Sequence, residues 1–174
     1  KVNDPDTTLA EMMDALADLP LDFHPGASWG YSVAIDVVGR LVEIISGQTL
    51  DTFLRQRIFD PAGMKDTCFF IPPAKQDRLT AFYAGAGLLA PMAPGLSRTD
   101  ENFLGIDNRR PTARLSGAGG LVTTLPDMVA LIRALLPGDN MLLRPETMDL
   151  VTTPQLPEET AVRFPARGII EGKV

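Results

Sequence analysis

The stretch from Ser32 to Gly47 leaves the least freedom to the rest of the chain. Ile35, Val38, Leu41, Val42 and Ile45 recur at helical spacing, and Gly47 supplies a stop. The periodicity predicts a helix over 32–46 with a wide apolar face. Gly39 stands mid-helix, where glycine costs about 1 kcal/mol relative to alanine, so a closely packed neighbour is expected there. A loop over 21–30, with Pro25, Gly26 and Gly30, brings Trp29 and Tyr31 to the head of this helix.

The flanking segments follow from the same kind of signal. Thr8 and Glu11 have capping-box spacing, and Leu9, Met12, Met13, Leu16 and Leu19 form a helical stripe that Pro20 ends. Thr49 is placed to cap a short helix with Leu50, Phe53, Leu54 and Ile58 on one side. Residues 60–64, Asp-Pro-Ala-Gly-Met, read as a turn that docks through Met64. A short helix is expected within 72–83, then loops with short strand pieces over 84–114, a stretch long enough to line a cleft. Thr124 caps a further helix, with Pro126 in its first turn, Asp127 at its positive end, and Val129, Ile132, Leu135 and Leu136 expected to face the core. Residues 137–140 read as a turn and 145–151 as a short helix, and 168–171 could begin a strand. The expected fold is mainly α with short strand pieces, in a single domain over 1–174.

Composition removes several functions. Forty-five per cent hydrophobic residues over 174 positions suffice for an ordinary core. A net charge of −6 argues against a nucleic-acid partner. One histidine, His24, and one cysteine, Cys68, make a transition-metal site improbable, and no cofactor is expected. Cys68 lies in an apolar run and reads as a buried, inert thiol. No run of 18 apolar residues occurs, so no membrane span is expected. The first residues carry no apolar leader and no initiator Met, so the chain reads as starting partway through a longer protein.

Two motifs invite chemistry that their context does not support. Gly26-Ala27-Ser28-Trp29-Gly30 matches the nucleophile elbow of α/β-hydrolases, but Pro20 and Pro25 interrupt the strand that must precede it, and the only histidine lies upstream of Ser28. Ser116 to Thr124 is glycine-rich before a helix, yet it lacks a P-loop lysine. Its glycines read better as backbone passing close to a neighbour.

Four segments together resemble the serine β-lactamases, penicillin-binding-protein-like hydrolases and family VIII esterases. They are Phe23-His24-Pro25-Gly26 with Tyr31-Ser32, the helix to Gly47, Pro61-Ala62-Gly63-Met64-Lys65-Asp66-Thr67, and Gly119-Gly120-Leu121-Val122-Thr123-Thr124-Leu125-Pro126-Asp127. The resemblance implies the mainly helical domain of a two-lobe β-lactamase/transpeptidase-like fold. It also implies that Tyr31 belongs to the Tyr-x-Asn motif and relays a proton, with Ser32, Val33 and the Gly119-Gly120 backbone lining the substrate cleft. In such enzymes a Ser-x-x-Lys motif supplies the nucleophile, because a serine hydroxyl attacks only when a neighbouring base takes its proton. None of the five serines here has lysine three positions on, and no Lys-Thr-Gly follows the helices. His24-Pro25-Gly26 matches His-x-Gly in form but lies in the wrong place.

Val33 replaces the usual asparagine, which pushes the implied substrate toward carboxylic esters and away from lactams. The expectation is a fragment, inactive alone, of an esterase acting through an acyl-enzyme. The rivals are a β-lactamase or D-Ala-D-Ala peptidase parent, and a non-catalytic helical binding module. A homo-oligomer formed through the would-be cleft is a further expectation.

Overall fold

The computed structural model describes residues 6–85, 95–102, 105–138, 142–157, 160–163 and 171–173. Helix α1 (Leu9–Ala17) starts at a complete capping box: the Thr8 Oγ1 accepts from the Glu11 N–H, and the Glu11 carboxylate accepts from the Thr8 N–H at 2.8 Å. After the loop and a two-residue strand β1 (Trp29–Gly30), helix α2 (Ala34–Ser46) runs to Gly47, whose left-handed φ of 67° closes it. Helix α3 (Leu50–Leu54) continues through a π turn, Arg55–Phe59, into α4 (Asp60–Ala62), which ends at left-handed Gly63. A 3-10 helix, Pro73–Arg78, takes the place of the helix expected in 72–83. Strands β2 (Phe82–Ala84) and β3 (Ser97–Thr99) pair antiparallel within the expected loop region. Helices α5 (Leu125–Leu135) and α6 (Pro145–Thr152) follow. Strands β4 (Ala161–Arg163) and β5 (Glu171–Lys173) then build a small mixed sheet in the order β1-β4-β5, with β1 parallel to β4 and β4 antiparallel to β5. The turn expected at 137–140 and the start of the strand expected at 168–171 lie partly outside the described residues.

The core gathers where α1, α2 and α3 meet. Leu9, Met12, Leu50 and Phe69 are buried together, with Met13, Leu16, Val33, Val42, Leu54 and Leu115 packed around them. Met64 is buried as the turn predicts. Gly39 explains itself: a Cβ there would stand 3.2 Å from Leu50 and 3.4 Å from Leu9. Glu43 joins α2 to α3, accepting from the Leu50 N–H at 3.2 Å and from Arg40 at 3.0 Å.

Several expectations are corrected. The wide apolar face of α2 lies largely outside: Ile35, Val38, Leu41 and Ile45 are exposed, Ile45 at 83%, and of the five only Val42 packs on the core cluster. The face turned inward carries Asp36 and Gly39. The same holds for α5, where Val129, Ile132 and Leu136 are exposed, Leu135 is half-buried and Ala134 is buried. Leu19 is also exposed. The reason is geometric. The inner contacts bring backbone against backbone, which small and hydrogen-bonded side chains permit and branched ones do not. Thr49 precedes α3 in an extended conformation, but its hydroxyl bonds to Thr52 Oγ1 and not to a backbone N–H.

Candidate active site

Tyr31 stands between β1 and α2. Gly30 just before it lies against Phe23, whose ring would come within 3.4 Å of an added Cβ, so the loop folds back under the aromatic pair. Tyr31 is 64% exposed. Ser32 accepts the Ala34 N–H on its hydroxyl at 3.2 Å, and Val33 occupies the N-cap position without a side-chain bond. The helix therefore begins at Ala34, two residues later than predicted. Val33 turns its side chain to the core cluster. Gly119 is half-buried. Gly120 is buried at φ 86° against Ile106, and its carbonyl accepts from Asn108 Nδ2 at 2.6 Å. Thus Tyr31 and Ser32 are exposed, Val33 is half-buried and Gly120 is buried.

What holds the glycine loop beside α2 is a residue the periodicity did not single out. Asp36, 5% exposed, accepts from Ser116 Oγ at 2.6 Å and from the Gly117 N–H at 2.9 Å with the same oxygen, Oδ1. Ser116 Oγ in turn accepts from the Ala118 N–H at 3.1 Å. Gly117 lies so close to α2 that a Cβ would overlap the Ile35 carbonyl oxygen. The expectation that this loop passes close to a neighbour is met at Gly117, and the neighbour is the backbone of the first turn of α2. The only sequence signal for Asp36 was a carboxylate inside an apolar helical run.

A second anchor fixes the far end of the same loop. Thr124 caps α5 by accepting from the Asp127 N–H. Asp127 does more than sit at a helix start. Its carboxylate accepts from Lys65 N at 3.1 Å, Asp66 N at 2.7 Å and Thr67 Oγ1 at 2.8 Å. Burial acts to raise its pKa, but the hydrogen bonds from Thr67, Asp66 and Lys65 outweigh it and hold the group below its ordinary value. A two-way bridge between Cys68 and Val122 runs alongside, at 3.1 and 2.9 Å. Asn108, 1% exposed, donates to the Phe69 and Gly120 carbonyls. The segment 116–127 is thereby clamped at four points, Ser116–Gly117, Gly120, Val122 and Asp127.

Other candidates resolve simply. Strand β1 follows Ser28, and residues 21–28 are loop, so Ser28 has no elbow. His24 is exposed in that loop, where its carbonyl accepts from Ala27. Cys68 is half-buried, not buried, and burial pushes its thiol pKa up while Arg55 and Lys75 pull it down. Among the described residues no cluster of three or more His, Cys, Asp or Glu could hold a metal, and no helix is long and apolar enough to cross a membrane.

The exposed tyrosine at the head of α2 and the pinned glycine loop stand in a mainly helical frame with short strands. Residues 1–172 match the Beta-lactamase family, and the chain belongs to that family. It is similar to lovastatin esterase of Penicillium rubens, with 34% identity over 158 residues, 90% of this chain and 38% of that protein. It is similar to esterase EstB of Burkholderia gladioli, with 29% identity over 82% of this chain and 38% of that protein. Among solved structures it superposes on EstCE1, a hydrolase with promiscuous acyltransferase activity, with a TM-score of 0.65 and 26% identity over 82% of this chain and 39% of that one. The fold is of the β-lactamase/transpeptidase type. The chain spans less than two fifths of the length of these relatives.

Proposed function

We propose that these residues form the helical lobe of a serine hydrolase that cleaves carboxylic esters through an acyl-enzyme. Tyr31 is its proton-relay residue. The observation that carries this is the position of Tyr31: exposed just before α2, the helix whose Asp36 pins the glycine loop, in a chain similar to named esterases. A free tyrosine has a pKa of about 10, so it acts as a base only beside positive charge. A lysine of a Ser-x-x-Lys motif would supply that charge and, through its serine, the nucleophile. Neither lies within these 174 residues, so the chain alone is expected to be inactive. Ser32, Val33 and the Gly119-Gly120 backbone form one wall of the cleft, and small ester substrates lie against it. Val33 offers the substrate no amide, which disfavours the lactam and peptide readings.

A second outcome of the same acyl-enzyme is transfer to an alcohol instead of water, favoured by the likeness to EstCE1. The test compares p-nitrophenyl butyrate turnover by this chain and by the full-length gene product. The chain should give none. In the full-length protein Tyr31→Phe should lower kcat by about 10²–10⁴-fold, the usual share of a positioned acid–base group. Turnover by the chain itself, abolished by Tyr31→Phe, would overturn the division into lobes. A full-length protein without Ser-x-x-Lys would point to the binding module.

A further inference from the structure

A cavity of about 290 Å³ opens between the 65–80 segment and the 122–124 strand piece, and none of Tyr31, Ser32, Val33, Gly119 or Gly120 lines it. Its volume is at the lower end of ligand-sized pockets, roughly 300 Å³. Four cations line it, Arg55, Lys65, Lys75 and Arg78, against one carboxylate, Asp66. That is an unusual concentration in a chain of net charge −6. Asp66 is already doubly engaged, by Lys75 at 2.6 Å and Arg78 at 2.8 Å, and the two hold its carboxyl far below the ordinary range. Arg55 and Lys65 have no ion-pair partner among the described residues. The rest of the lining is mixed: Phe70, Ile71, Leu79 and Val122 give an apolar patch, and Thr67, Thr80, Thr123 and Thr124 stand around it.

Surplus cations beside an apolar patch select one kind of small molecule. A bare inorganic anion would leave the apolar patch wet, and a neutral hydrocarbon would leave the cations unpaired. Charge-assisted bonds to Arg and Lys are the strong ones, and guanidinium matches a carboxylate in geometry. We propose that this cavity binds a small amphipathic carboxylate, its head between Arg55 and Lys65 and its short alkyl body against Ile71, Leu79 and Val122. The site is independent of the ester-hydrolase reading, because no residue of the proposed relay takes part.

Cys68 also lines the cavity and is the only cysteine in the chain, so it reports on occupancy without engineering. Sodium octanoate is the probe, with 1-octanol as the uncharged match and inorganic phosphate as the match without a tail. Alkylation of Cys68 by iodoacetamide at fixed pH is followed by mass, and heats of binding are measured in parallel. Octanoate should bind one to one and slow Cys68 alkylation, and octanol and phosphate at the same concentration should not. The double variant Arg55→Gln/Lys65→Gln should weaken octanoate about tenfold, through lost charge-assisted bonds, and Arg55→Lys/Lys65→Arg should keep binding. No heat and no protection with octanoate would overturn the proposal. So would equal protection by octanol or phosphate, or unchanged affinity in the glutamine variant.

Discussion

The two faces of α2 are made in opposite ways. One face turns inward with Asp36, Gly39 and Glu43 and meets α1, α3 and the 115–117 segment. The other carries Ile35, Val38, Leu41 and Ile45 and lies open. A polar inner face and an apolar outer one reverse the usual pattern of a surface helix. The difference teaches that hydrophobicity marks which surface is to be covered, while close backbone approach decides which surface is covered within this chain. Helix α5 repeats the lesson, with Asp127 buried and Leu125, Ile132 and Leu136 outside. Two helices thus carry open apolar stripes, the kind of surface that favours association.

The inner face should be costly to disturb and the outer face nearly free. Gly117→Ala forces a Cβ into the Ile35 carbonyl, and backbone cannot yield as a side-chain tip does. We expect a loss of about 3 kcal/mol or more in urea unfolding. A loss below about 1 kcal/mol would mean that the loop rides freely over α2. Asp36→Ala comes next. It leaves the buried Ser116 hydroxyl and the Gly117 N–H without their acceptor, and about 2–3 kcal/mol should be lost.

Asp127→Asn keeps the shape but not the charge of an acceptor that three donors share, so about 1–2 kcal/mol should go. Acid titration adds the sign. Asp127 and Asp107 both have folded pKa values below the ordinary 3.8, Asp107 at about 2 through its bonds to Arg109. Their contribution is complete above the unfolded value and is lost as pH falls through the folded one. Stability should therefore be level above about pH 5 and should fall toward pH 2, and Asp127→Asn should make that fall shallower. An equal slope in wild type and variant would remove Asp127 from the account.

The smallest effect belongs to the outer face. Ile35→Gln and Ile45→Gln should each change stability by about 0.5 kcal/mol or less, because neither side chain is buried in this chain. Both should reduce self-association in sedimentation at high concentration, since an open apolar stripe favours it. A stability loss comparable to that of Asp36→Ala would erase the contrast between the faces.

Much of the fold could be read from local pattern. The Thr8–Glu11 capping box, the Gly47 stop, the Met64 anchor and the Thr124 cap are all short-range devices, and each stands where the residues place it. Family membership was likewise legible, because four motifs in register carry more information than any one. What local pattern could not show is direction. A helical stripe states that an apolar face exists but not which partner it meets, and for α2 and α5 the buried side was the other one. Nor could spacing reveal that Asp36 reaches Ser116 and Gly117, 80 and 81 residues away, or that Asp127 gathers the amides of Lys65 and Asp66. The sequence by itself determined most of the helices and several of their ends, because caps, turns and helical periods are settled within a few residues. Only the tertiary structure decided which carboxylates are buried and which face of each helix is covered, because those depend on backbones brought together across long loops.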